Sequence, residues 1–133
     1  MARADDRGTT PRSIAFDFDG VLHDYSGGWD GERPTGSPVV GAREAVAAFQ
    51  AAGFTVAVFT CRALVPGGQL ATAQWLREHG FGELAVTAMK PHAELYVDDR
   101  AHRFDGDWSA LHRMAERGHT PRPWYHPKPA GAS

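Results

Sequence analysis

A chain of 133 residues has the length of one domain, and its 42% hydrophobic and 23% charged residues are the proportions of a soluble globular protein. These proportions exclude a wholly disordered chain, and no run approaches the roughly 18 apolar residues that a membrane helix needs. A net charge of −2 with a pI near 6.4 argues against a nucleic-acid binder held by bulk charge, though a phosphorylated nucleic-acid end stays open as a partner.

Residues 1–12 are polar and charged, lack the apolar stretch of a secretory leader, and read as a flexible arm. Ile14-Ala15-Phe16-Asp17-Phe18 is a short apolar strand that stops at Gly20. The glycine-rich loop from His23 to Gly31 follows, suited to act as a small flap around Trp29. Ser37-Pro38 opens a helix that Gly53 closes, with Ala42, Val46 and Phe49 on one face. Phe54 to Phe59 is continuously apolar and rich in β-branched residues, as a strand covered on both faces should be. A second helix, from about Gly68 to Gly80, turns Leu70, Ala73 and Leu76 inward. Ala85 to Thr87 and Leu95 to Val97 are two further short strands. The third helix takes Asp107 as its N-cap and Gly118 as its stop, and directs Trp108, Leu111 and Met114 inward. Residues 118–133 hold four of the nine prolines (Pro121, Pro123, Pro127, Pro129) and read as an extended tail. The compact unit is therefore 13–117. Its alternation of strand and helix predicts an α/β fold with a mostly parallel sheet and helices on both faces.

The polar residues cluster where such a sheet places its ligand crevice, at the carboxyl ends of the strands. Asp17 and Asp19 close the first strand, Thr60 follows the second, Lys90 precedes the fourth, and Asp98 and Asp99 follow it. A single aspartate after a strand is often only a turn former. Four carboxylates converging on one place repel one another strongly and call for a cation, and oxygen-only ligands favour a hard ion such as Mg²⁺ over zinc. A divalent ion beside an ammonium and a hydroxyl makes a phosphate site. There one carboxylate can attack phosphorus while a second exchanges protons.

The string Phe16-Asp17-Phe18-Asp19-Gly20-Val21-Leu22 resembles the first motif of the haloacid dehalogenase superfamily. Thr60 is similar to its second motif, Lys90 to its third, and Val97-Asp98-Asp99 to its fourth, all in the family's order. The resemblance implies a three-layer Rossmann-like core with the first strand central, and a dependence on Mg²⁺. It makes Asp17 the nucleophile and Asp19 the general acid/base. The metal would sit on the side chains of Asp17 and Asp98 and the backbone carbonyl of Asp19, with Asp99 behind through water. Thr60, Lys90 and Gly20 would bind the phosphoryl group, with Arg62 an alternative clamp. An Asp two residues after the nucleophile marks phosphoester hydrolysis rather than dehalogenation. Lys90 lies only eight residues before Asp98, where many members place a helix. It is nevertheless the only lysine candidate, since Lys128 is in the tail and the other cations are twelve arginines. The intervals between motifs leave no room for a cap domain. Water exclusion then falls to the substrate, to the Trp29 flap, or to a neighbouring subunit in a homo-oligomer.

The expected activity is that of a cap-less Mg²⁺-dependent phosphomonoesterase working through an aspartyl-phosphate on an unidentified phosphorylated substrate, without a membrane partner. A receiver-like signalling domain uses a similar inventory, but its acidic pair comes first and its phospho-acceptor has no partner like Asp19. A binding subunit with an idle site is the other alternative. Cys61 is the only cysteine, which excludes an internal disulfide and suits a reducing cytoplasm. It invites a cysteine phosphatase, but Gly67 stands where that motif has arginine, so a buried structural thiol is expected. Among the seven histidines, His23 and His92 flank the site as possible substrate contacts, and Arg100 and Arg103 follow the acidic pair as ion-pair partners or a substrate clamp.

Overall fold

The computed structural model describes residues 12–28, 33–122 and 124. The expected arm up to residue 11, Trp29 to Gly31 of the flap, and the tail beyond Trp124 lie outside the described residues.

Four strands form one sheet in the order β3-β2-β1-β4: β1 (Arg12–Asp17), β2 (Phe54–Phe59), β3 (Ala85–Thr87) and β4 (Leu95–Val97). Every pairing is parallel. With α1 (Ala42–Ala51), α2 (Gly68–Glu78) and α3 (Ser109–Arg117) the chain is an α/β protein of Rossmann-like type, and among the described residues no cap domain interrupts it. β1 is central, as expected. It pairs with β2 over all six residues and with β4 at Ile14, Ala15 and Phe16. It starts at Arg12, one residue inside the stretch read as an arm. Arg12 Nε donates to Glu94 Oε2 at 3.0 Å, and its guanidinium lies 4.3 Å above the centre of the Phe54 ring.

Register decides which side chains make the core. Side chains alternate along a strand, and the ladder sets Ile14 beside Val56 and Phe16 beside Val58, which in turn faces Val86. These five residues share one face, and all are buried. Ala42 and Val46 of α1 and Trp75 and Leu76 of α2 close over that face, with Phe18, Leu22 and Phe81. Each large side chain in such a core contributes about 1.5–3 kcal/mol. The opposite face carries Ala15, Asp17, Ala57, Phe59, Thr87 and Tyr96, so the nucleophile candidate points away from the main core.

All three helices differ from expectation, and α1 begins at Ala42 behind Gly41 rather than at Ser37-Pro38, where Pro38 instead bridges to His23. α2 buries Gly68, Thr72, Trp75 and Leu76, while Leu70 is exposed. The sequence offers two stripes at helical spacing, and the one containing Trp75 removes more apolar surface from water. Gly68 locks this orientation, because a Cβ there would collide with the backbone carbonyl oxygen of Arg62. α3 buries no residue at all: Leu111 and Met114 are half-buried, and Trp108 is exposed and pairs with Phe104 at 4.5 Å between ring centres. Asp107 caps from one position further out, its Oδ1 accepting from the Ser109 amide at 2.9 Å and hydroxyl at 2.7 Å.

The link from β3 to β4, residues 88–94, crosses from one edge of the sheet to the other without a helix. No helix of the described residues is long and apolar enough to cross a membrane.

Candidate functional site

β1 and β4 end side by side, Phe16 opposite Val97, which brings the residues after each strand together. Carboxylate oxygens of Asp17, Asp98 and Asp99 all lie within 4.8 Å of one another. All three residues are half-buried. Asp17 Oδ1 accepts from the Phe18 amide at 2.8 Å, which favours its ionised form. Burial outweighs that bond, and repulsion from Asp98 and Asp99 adds to burial, so the Asp17 carboxyl is raised to about 7. Oδ2 of Asp99 is buried without a hydrogen-bond partner. Three crowded acids, one of them pushed up and another with an orphan oxygen, form a donor set of hard oxygens suited to a divalent cation.

Asp19 stands apart from this group. Its Oδ2 accepts from Arg62 Nε at 2.9 Å and its Oδ1 from Arg62 Nη2 at 2.9 Å, a forked pair. Oδ1 also meets His23 Nδ1 at 2.8 Å. Gly36 N–H donates to His23 Nε2 at 2.8 Å, so that nitrogen is the acceptor and Nδ1 carries the proton toward Asp19. The His23 ring stacks on Phe18 at 5.0 Å, and Trp75 stands edge-on to both. Arg62 and His23 are fully buried. The expectation that Arg62 serves as an alternative phosphate clamp is therefore corrected: its guanidinium is spent on Asp19. His23, expected as a possible substrate contact, holds the same carboxylate. The signal missed in the sequence was an arginine two residues after Thr60, where a buried cation needs a buried anion.

Gly20 makes the turn after Asp19 with φ +84°, a conformation side chains disfavour. Its N–H donates to the His23 carbonyl at 2.9 Å, committing the amide to the turn rather than to a phosphate, and its carbonyl accepts from Trp124 Nε1 at 2.6 Å. Thr60 is buried at the end of β2, where its Oγ1 accepts from the Arg62 amide at 3.1 Å and opens the 3-10 turn Cys61–Leu64. Cys61 is exposed, which corrects the expected buried thiol. Lys90 is exposed in the helix-free link, with Nζ 4.3 Å above the Tyr96 ring, on the face to which Asp17 points. His92 is also exposed, and its carbonyl accepts from Ser13 Oγ at 3.3 Å. The Arg100 amide donates to Asp98 Oδ1 at 2.9 Å, fixing the turn that presents the acidic pair.

No family model, no curated protein and no solved structure matches the chain.

Proposed function

We propose that the chain is a Mg²⁺-dependent phosphomonoesterase of the haloacid dehalogenase type, acting in the cytoplasm through an aspartyl-phosphate at Asp17. The observation that carries this reading is the convergence of Asp17, Asp98 and Asp99 at the ends of two adjacent parallel strands. Asp17, Asp98 and Asp99 would hold Mg²⁺, which supplies charge neutralisation for the phosphoryl oxygens.

An oxygen of Asp17 attacks phosphorus, and the bond from phosphorus to the ester oxygen breaks. The leaving oxygen takes up the proton that Asp19 holds from the attacking water of the preceding turnover. Asp19 then accepts a proton from water as that water attacks the phosphorus of the acyl-phosphate, freeing Asp17 and inorganic phosphate. Arg62 and His23 hold Asp19 and are positioning residues. Thr60 and Lys90 bind the phosphoryl group.

The test is hydrolysis of p-nitrophenyl phosphate with Mg²⁺, and its loss in EDTA. In acid-quenched reactions the wild-type chain carries label from phosphorus-labelled substrate. Asp19→Asn slows release of that label by about 10² or more. Full activity in chelator, or label on any residue other than Asp17, overturns the reading.

A further inference from the structure

α3 is strongly amphipathic, yet its apolar stripe does not seal against the sheet. Leu111 and Met114 instead line a cavity of about 460 Å³, within the range of small-molecule sites. Asp99 and Arg100 form one wall, and Pro121 and Arg122 of the C-terminal segment form another. Asp99 also belongs to the acidic trio, so the cavity begins where the proposed phosphoryl group ends. A larger cavity of about 650 Å³ shares Met114, Thr120, Pro121 and Arg122 but includes none of the three acids.

The C-terminal segment is tied at both ends. At one end Gly118 closes α3, its amide donating to the Met114 carbonyl at 2.9 Å. At the other end, Trp124 donates to the Gly20 carbonyl, one residue past Asp19 and 104 residues away in sequence. These two ties join the end of α3 and the turn after Asp19 to the same segment.

The chemistry of the walls selects the ligand. Leu111, Met114 and Pro121 offer apolar surface to the body of a small molecule. Arg122 and His102 offer a cation and a donor beside the acidic trio. An uncharged leaving group gains nothing from them, whereas one with a second phosphate or carboxylate gains a charge-assisted contact. We infer that this cavity receives the leaving group of the phosphate ester, and that it prefers one carrying a second anionic group. The inference rests on the phosphomonoesterase reading above.

The test compares glucose 6-phosphate with glucose 1,6-bisphosphate. Binding is read by calorimetry in the full-length Asp17→Asn chain with Mg²⁺, and hydrolysis in the wild-type chain. The bisphosphate is expected to bind at least tenfold more tightly. Arg122→Gln is expected to erase about tenfold of that preference, the loss of one charge-assisted contact. Arg113→Gln, which lines only the larger cavity, should leave the preference intact and controls for a general loss of positive charge. Equal binding of the two sugars, or equal losses in both variants, overturns the inference. Hydrolysis of both sugars without the preference removes the cavity's role and leaves the phosphomonoesterase standing. A preference in binding with no hydrolysis of either sugar or of p-nitrophenyl phosphate overturns that activity, and the leaving-group role with it.

Discussion

Asp17 and Asp19 leave the same strand two residues apart, yet they meet opposite surroundings. Asp17 faces two further acids and is pushed up to about 7 by burial and their repulsion. Asp19 faces a buried arginine and a buried histidine whose tautomer is set by the Gly36 amide. One half of the site is compensated within the chain. The other half is the one that the proposed cation would complete. On the proposed reading, such a division would keep Asp19 in place at all times and prime Asp17 only once the cation binds.

The largest effect expected from this contrast is at Asp17. Asp17→Asn is expected to lower turnover of an aryl phosphate by about 10⁴-fold or more. The same substitution should raise the stability of the metal-free chain at pH 8, because it removes an ionised group that burial opposes. A destabilised Asp17→Asn chain at that pH would mean that the acid is paid for by partners after all.

Arg62→Met should act in the reverse direction. It leaves Asp19 without its forked partner in a largely buried setting, at a cost of about 3 kcal/mol in urea unfolding. A chain that unfolded at the wild-type midpoint would show that Asp19 needs no internal partner, and the contrast would collapse.

Acidity and metal come next. The folded-state carboxyl of Asp17 lies above its ordinary value of 3.8, so between about 4 and 7 the folded chain binds more protons than the unfolded one. Its contribution to stability is therefore full below about 4 and is lost as pH rises through about 7. Asp24 and Asp107 are lowered by hydrogen bonds from Ser26 and Ser109, and so lose stability only on acidification below 3.8. Tm should thus fall from pH 4 to 7 in the wild-type chain and fall less in Asp17→Asn. Mg²⁺ at ten times its Kd should raise Tm by about 5 °C at pH 8. A Tm indifferent to Mg²⁺ at that pH would falsify the idea that the acidic half is incomplete.

The smallest effect is expected at Trp124. Trp124→Phe removes one hydrogen bond to the catalytic turn while keeping most of the ring, with a loss of about 1 kcal/mol or less. The check is whether KM rises with kcat preserved.

The strand centres and the approach of Asp17 to Asp98 and Asp99 were legible in the sequence, because apolar runs mark strands and parallel sheets gather their carboxyl ends. The fate of Arg62 was not. Its pairing with Asp19 spans 43 residues, and nothing local separates a cation that clamps substrate from one that neutralises a neighbour. The burial of Trp75 over Leu70 was equally hidden, since both stripes have helical spacing and the choice falls to the close contact of Gly68 with Arg62. The contact of Trp124 with Gly20 joins two segments that no periodicity connects.

β4 is three residues long, lies at the edge of the sheet, and is bonded to β1 alone. It is also the element that delivers two of the three clustered acids. If these acids hold the proposed cation, opening of this strand and loss of the cation would be one event seen from two sides. Amide exchange at Tyr96 and Val97 should slow as Mg²⁺ is added, while exchange in β2 stays as it was. In a refolding chain, β4 has to bridge more than eighty positions to reach Ile14. The ion would act as a latch on this last strand, so that affinity for the metal and the lifetime of the sheet's edge are set by the same three residue pairs.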